Sequence, residues 1–219
     1  RLIENNYKEI VLTGIDSASY GLEFENYRFD DLLEDIMQIK GLQRLRISSI
    51  EASQIDDRFI SLLKKYPTIA PHLHIPLQSG SDTVLKRMKR KYTCEEFYKK
   101  IEKIKKEIPN IALACDVIVG FPQETEEEFL QTCNFIKKCG FAFLHVFPYS
   151  IREGTYAATL PNQINDQTKK ERVSRLISLG KELNDEYKKK FINKELNVLI
   201  ESYDKKTSLY HRSEERRVG

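Results

Sequence analysis

The sequence predicts an α/β fold built on a parallel sheet, and three observations carry that prediction. Strand-like and helix-like patterns alternate along the chain, the strands split into an apolar and a partly polar face, and polar turns follow the strands. Two segments stand out, HLHIPLQSGSD at 72–82 and DVIVGFPQE at 116–124. Each opens as a strand and ends in a glycine-containing turn before a helical pattern. α/β proteins place their chemistry there, outside the carboxyl ends of the strands.

The first strand spans 8–13. A helix over 29–39 follows, with Leu32, Leu33, Ile36 and Ile39 at helical spacing and Gly41 as its stop. Residues 44–50 read as a strand, 56–66 as a helix and 72–77 as a strand. A short helix over 81–88 precedes a longer one over 93–108, which Thr93 and Glu96 open as a capping box. Residues 111–119 carry the strongest strand pattern. Thr125 and Glu128 form a second capping box, for a helix ending near Lys138 with Gly140 behind it. Next come a strand over 141–147, a loop with Gly154 and Pro161, and a long charged helix over 166–191. A final strand over 196–201 breaks the rhythm. This order predicts right-handed crossovers and a sheet curved into part or all of a barrel.

The 219 residues suffice for one large domain, or for one domain and a fragment. A net charge of +3 neither demands nor excludes a nucleic-acid partner. No apolar run approaches the ~20 residues of a membrane span, and no signal-peptide core opens the chain. No membrane partner is expected, and the cytoplasm is the default location. Cys94, Cys115, Cys133 and Cys139 match neither CxxC nor CxxxCxxC, so they read as reduced structural thiols. The chain opens on arginine and reads as an internal fragment of a longer protein. The last seven residues, SEERRVG at 213–219, fit no periodic pattern and resemble a cloning tail.

Alternation divides 111–121 into an apolar face, Ile111 to Phe121 at every second residue, and a face with Ala112, Ala114, Asp116, Ile118 and Gly120. In the strand over 72–77, Leu73, Ile75 and Leu77 oppose His72, His74, Pro76 and Gln78. Leu45 and Ile47 oppose Arg44, Arg46 and Ser48. With helices outside, the polar faces point inward. A lumen lined by Arg46, Ser48, His74, Gln78 and Asp116 requires those groups to satisfy one another, or to meet water or a polar ligand.

Five blocks in order resemble the radical S-adenosylmethionine methylthiotransferases. They are LTGIDSASYG (12–21), RLRISSIEA (44–52), PHLHIPLQSGSDTVLKRMKRKYT (71–93), DVIVGFPQETEEEF (116–129) and HVFPYSIREGT (145–155). SSIE and HVFPYS are most similar to the branch that modifies threonylcarbamoyladenosine in tRNA. The resemblance implies a partial TIM-like (βα)6 radical-SAM barrel at 1–192 that lacks its first strand. The beginning of a small β domain of the TRAM type follows at 193–212, and 213–219 is a non-native tail. It implies S-adenosylmethionine and two 4Fe-4S clusters as cofactors, with the cluster cysteines outside this chain, and tRNA as partner. This fragment alone is then expected to be inactive. In such enzymes a deoxyadenosyl radical starts insertion of a methylthio group at carbon 2 of threonylcarbamoyladenosine at position 37, next to the anticodon.

Carried over by position, Thr13, Gly14, Ser48, Gln78, Ser79, Asp116 and Gly120 face the cofactor, and Ser49, Glu51, Tyr149 and Arg152 face the substrate. No catalytic residue and no metal ligand is assigned within the chain, and the sulfur and electron donors are left open. Gln123 stands where the family has the last glycine of GFPG, and Ala52 where a proline usually follows SSIE. Glu124 reads as a charge at a helix N-terminus. The basic run KRMKRK (86–91) reads as a phosphate track or a solvated helix end, and 188–190 as surface charge. The alternatives are a methylthiotransferase for isopentenyladenosine tRNA or for a ribosomal protein, and a non-catalytic RNA-binding barrel.

Overall fold

The computed structural model describes residues 1–14 and 17–214. In chain order the elements are β1 (Glu9–Leu12), α1 (Phe29–Met37), β2 (Arg44–Ile47), α2 (Asp57–Lys65), β3 (His72–His74), α3 (Asp82–Arg87) and α4 (Cys94–Glu107). Then follow β4 (Ala112–Val119), α5 (Glu126–Cys139), β5 (Phe143–Pro148), α6 (Tyr156–Thr159), α7 (Asp166–Lys189), β6 (Val198–Asp204) and β7 (Leu209–Glu214). The α/β class and the alternation are those the sequence predicts. β1 with β2 and β4 with β5 are parallel, and among the described residues the strands do not close into a continuous barrel. The chain divides into two compact units. One comprises Arg1–His74, Ile104–Ala112 and Lys189–Gly219, the other Ile75–Lys103 and Leu113–Lys188.

In the first unit Glu9 lies opposite Arg44 and Leu12 opposite Ile47. Leu45 and Ile47 are buried, as the apolar face requires. The opposite face is neutralised from within: Glu9 accepts from Arg46 Nε at 2.7 Å and from Arg44 Nη1 at 3.2 Å. Arg46 therefore spends its charge on β1. Asp56 opens α2 by accepting from Phe59 N at 2.8 Å, and Phe59, Ile60, Leu62 and Leu63 form the buried face of that helix. β6 and β7 make an antiparallel hairpin, with Val198 opposite Glu214 and Asp204 opposite Leu209. Asp204 closes its turn by accepting from Lys206 N at 2.8 Å and from the Thr207 hydroxyl at 2.9 Å.

β7 is absent from the predicted elements. Ser213 and Glu214 belong to this strand, paired with Leu199 and Val198 through backbone groups that any residue supplies. Residues 215–219 lie outside the described residues.

In the second unit the segment 75–78 runs beside β4. Ile75 N donates to Ala114 O at 2.8 Å, Gln78 N to Asp116 O at 2.8 Å, and Ile118 N to Gln78 O at 2.9 Å. β5 flanks β4 on the other side, with Ala114 opposite Phe143 and Val119 opposite Pro148. Ile75, Leu77, Leu113, Cys115, Val117 and Val119 are buried, so the alternation read from the sequence is the core of this unit. Phe97 packs against Phe135 and Phe141, with ring centroids 6.3 and 6.4 Å away. Both predicted capping boxes form. Thr93 and Glu96 exchange backbone bonds at 2.8 and 3.2 Å, Thr125 and Glu128 at 2.9 and 3.2 Å. Gly140 ends α5 in the left-handed conformation at φ 58°.

Glu128 also ties α5 to α3. Burial raises its carboxyl, but bonds from Arg87, the Thr83 hydroxyl and Thr125 N outweigh this and hold it below the ordinary 4.5. A carboxyl held down in the fold contributes fully above pH 4.5 and loses that contribution as pH falls through the lowered value. Glu128→Gln should flatten the acid limb of stability against pH in urea-unfolding curves. An acid limb identical to the parent would contradict this linkage.

Candidate functional site

At the carboxyl ends of β4 and β5 the second unit opens a cavity of about 490 Å³. That lies within the roughly 300–1,000 Å³ of small-molecule sites. Gln78, Asp116, Ile118, Tyr149, Arg152 and Thr155 are among its lining residues. Four of the residues expected to face cofactor or substrate are thus brought together, by backbone geometry that differs for each.

Gln78 ends the segment beside β4 in the left-handed region, at φ 65°. That conformation costs a side-chain-bearing residue about 1 kcal/mol or more. Asp116 reaches the cavity because it shares the inward face of β4 with Ile118. Its Oδ1 is 3.4 Å from Nδ1 of His145, its register partner on β5. Tyr149 carries the β4–β5 ladder one residue further, its N–H donating to Val119 O at 2.8 Å. Its ring packs edge-on against Phe121 with centroids 5.2 Å apart, and its Oη is buried with no hydrogen-bond partner. A buried hydroxyl in that state costs about 1–3 kcal/mol, so Tyr149 holds a donor ready for a polar ligand. Arg152 is exposed in a turn whose carbonyl accepts from Thr155 N at 3.2 Å and from the Thr155 hydroxyl at 2.7 Å.

Two expected cofactor residues of the second unit do not line this cavity. The Ser79 side chain is fully buried, with its Oγ 3.2 Å from Thr132 Oγ1 and accepting from Ser81 N at 3.3 Å. The reason is local: the left-handed turn at Gln78 rotates the next side chain towards α5. Gly120 is approached by protein. A Cβ there would lie 2.5 Å from Lys169 Cγ, and its φ is +71°. The neighbouring Glu124, read from the sequence as a charge at a helix N-terminus, directly precedes the cap residue Thr125 of α5 and is held in a buried ion pair. Its carboxylate, 1% exposed, accepts from Gly120 N at 2.6 Å and from Arg172 Nη1 at 2.7 Å. Burial pushes this carboxyl up, against the pull of Gly120 N–H and Arg172.

The remaining expected residues lie in the first unit, also beyond strand ends. Thr13 and Gly14 follow β1 and are exposed, while Ser48 and Ser49 follow β2 and are half-buried. Ser48 N donates to Leu12 O at 3.0 Å, and its Oγ is 3.3 Å from Ser17 Oγ. Glu51 is exposed, its N–H donating to Gln54 Oε1 at 3.1 Å.

The cysteines do not fit an iron–sulfur cluster, which needs three or four converging thiolates. No three of them converge among the described residues. Burial pushes the Cys94 thiol up to about 12, the Cys115 thiol far up and the Cys133 thiol upward. The sequence reading assigned no role to Ile118 and Phe147, which line the cavity opposite each other in register. The signal for Ile118 was available, since it shares a strand face with Asp116. It also missed Lys169 and Arg172, buried residues in a helix that reads as charged throughout.

Two substitutions separate these roles in urea denaturation. Tyr149→Phe, which deletes the buried hydroxyl, should raise stability by about 1 kcal/mol. Gly120→Ala should cost about 2 kcal/mol or more, because it meets both a steric and a conformational barrier. A neutral Gly120→Ala would mean that Lys169 does not pack there.

The model of the radical SAM superfamily matches residues 1–136. Over 208 residues the chain is 51% identical to threonylcarbamoyladenosine tRNA methylthiotransferase MtaB of Bacillus subtilis, covering 94% of this chain and 46% of that protein. It is 40% identical to a tRNA-2-methylthio-N(6)-dimethylallyladenosine synthase of Alkaliphilus oremlandii, over 94% of this chain and 44% of that protein. The chain thus spans less than half the length of these curated relatives. Among solved structures, methylornithine synthase (PylB) superposes with a TM-score of 0.55 at 16% identity, over 82% of this chain and 50% of that one, a likeness of fold. With the superfamily model matching more than half of its length, this chain belongs to the radical SAM superfamily.

Proposed function

We propose that this chain is part of a tRNA methylthiotransferase that uses S-adenosylmethionine to add a methylthio group to threonylcarbamoyladenosine at position 37. The observation that carries this reading is the cavity at the ends of β4 and β5, where Gln78, Asp116, Tyr149 and Arg152 meet. The superfamily works with S-adenosylmethionine and a 4Fe-4S cluster. The cavity suits the first of these: a carboxylate, an amide and a buried unpartnered phenol offer an acceptor, a donor–acceptor and a donor to a polar molecule. Bound there, and given one electron by the 4Fe-4S cluster, S-adenosylmethionine would supply the hydrogen-abstracting chemistry that begins the reaction.

The chain's own residues orient and shield. Asp116 and Gln78 take the polar groups of the cofactor, Tyr149 donates its hydroxyl proton to a ligand oxygen or nitrogen, and Ile118 and Phe147 exclude water. Exposed Arg152, among the lining residues, offers a cation to a nucleotide phosphate. Of the residues on the first unit's strand ends, Thr13, Gly14 and Ser48 are assigned to the cofactor and Ser49 and Glu51 to the substrate as part of this proposal. The cluster ligands are not drawn from the described cysteines. The domain reading stays as part of this proposal, a barrel segment at 1–192 followed by the start of a TRAM-type domain. The partner is tRNA, the setting cytoplasmic, and no helix among the described residues is long and apolar enough to cross a membrane.

The choice of threonylcarbamoyladenosine rests on SSIE and HVFPYS, supported by the 51% identity to the Bacillus relative. The dimethylallyladenosine reading is favoured by the 40% relative from Alkaliphilus, and one measurement separates the two. Mass spectrometry of tRNA from cells lacking the gene should find threonylcarbamoyladenosine without its methylthio group. If that nucleoside keeps the group while dimethylallyladenosine loses it, the assigned branch is wrong. In equilibrium binding, Asp116→Ala should weaken S-adenosylmethionine about tenfold, the scale of one charge-assisted hydrogen bond. Tyr149→Phe should weaken it several-fold although it stabilises the fold.

A further inference from the structure

A turn of cations lies at the end of α3. Lys86, Lys89, Arg90 and Lys91 are exposed and enter no ion pair among the described residues. Arg87, in the same run, is spent: it binds Glu128 and donates to Gln123 O at 2.9 Å. The helix stops at Lys89, which takes the left-handed conformation at φ 57° that usually belongs to glycine. Lys89 N then donates to Lys86 O at 3.0 Å and Arg90 N to Leu85 O at 2.9 Å. This turn is fixed in direction. The Lys89 ammonium sits 4.1 Å from the ring centroid of Tyr156. Tyr156 lies between Thr155 and Ala157, two lining residues of the cavity, and four positions after Arg152. A solvated helix end needs neither a strained lysine nor an aromatic clasp to the rim of a ligand cavity.

We infer that residues 86–91, clasped to the cavity rim by Lys89 and Tyr156, form a phosphate-tracking strip for the RNA backbone that flanks the nucleotide entering the cavity. The inference rests on the function proposed above and adds a docking surface to it. A string of unpaired cations beside an exposed aromatic ring suits a polyanion whose bases present flat faces, which is RNA rather than an acidic protein.

Binding of an anticodon stem-loop RNA to the full chain, followed by fluorescence anisotropy across a salt series, tests the strip. The triple variant Lys86→Ala, Arg90→Ala, Lys91→Ala should lower the slope of log K against log salt by about 2–3, since each lost phosphate contact is worth roughly 0.7–0.9. Tyr156→Leu, which releases Lys89, should weaken binding several-fold, and Tyr156→Phe, which keeps the ring, should restore it. A triple variant with native circular dichroism and an unchanged slope overturns the strip, whatever the tRNA nucleoside analysis finds. Stronger binding to anionic phospholipid vesicles than to RNA overturns it as well.

Discussion

The buried pair of Glu124 and Arg172 is the constraint on which the cavity wall depends. One carboxylate oxygen accepts from Arg172 Nη1 and from Gly120 N, and the same guanidinium donates to Glu124 O at 3.0 Å. The end of β4, the approach to α5 and the flank of α7 are thereby pinned at one point. Such a pair is costly to desolvate and costlier to break, because a lone partner leaves a buried charge uncompensated. Once α7 is held this way, Lys169 lies over Gly120 and its ammonium comes within 5.8 Å of the Tyr149 ring centroid. The position of the unpartnered phenol is thus set from α7, through a lysine twenty residues downstream.

Left-handed backbone recurs in the second unit, at a residue that lines the cavity and at residues that do not. Gln78, Lys89 and Gln123 all have φ between 57° and 66°, although each carries a long side chain. Strain of that kind persists only where the surroundings over-determine it. At Gln123 they do: its N–H donates to Asn162 O at 3.0 Å while its carbonyl accepts from Arg87. A glycine, the residue the family resemblance leads one to expect there, would adopt this φ at lower cost than Gln123 does.

Local rules were legible from residue types alone. Thr93 with Glu96 and Thr125 with Glu128 could be read as caps because both partners lie within one turn. The alternation from Ile111 to Phe121 separated core from cavity, and five ordered blocks pointed to the radical SAM superfamily. Partners distant in sequence were not legible. Ser79 follows a strand as a ligand-binding serine would, yet it binds Thr132, 53 residues on. Gly120 looked like an opening for a ligand, and the group that fills it is Lys169. β7 escaped because a hairpin strand is defined by its partner's backbone. The polar face of β2 proved to be an internal network with Glu9, whereas that of β4 lines the cavity. Residue types do not separate those outcomes.

The buried thiols have a chemical consequence. Thiolate, not thiol, attacks disulfides, persulfides and metal ions. With its thiol pushed up to about 12, Cys94 is ionised in on the order of one molecule in 10⁵ at neutral pH, and Cys115 is more thoroughly silenced. A protein that hands sulfur to a nucleoside works among reactive sulfur species, and every accessible thiolate is a place where sulfur can be lost. This part of the chain offers none of consequence at those two positions. Cys94 and Cys115 behave as small hydrophobes, inert towards the element that the proposed enzyme delivers.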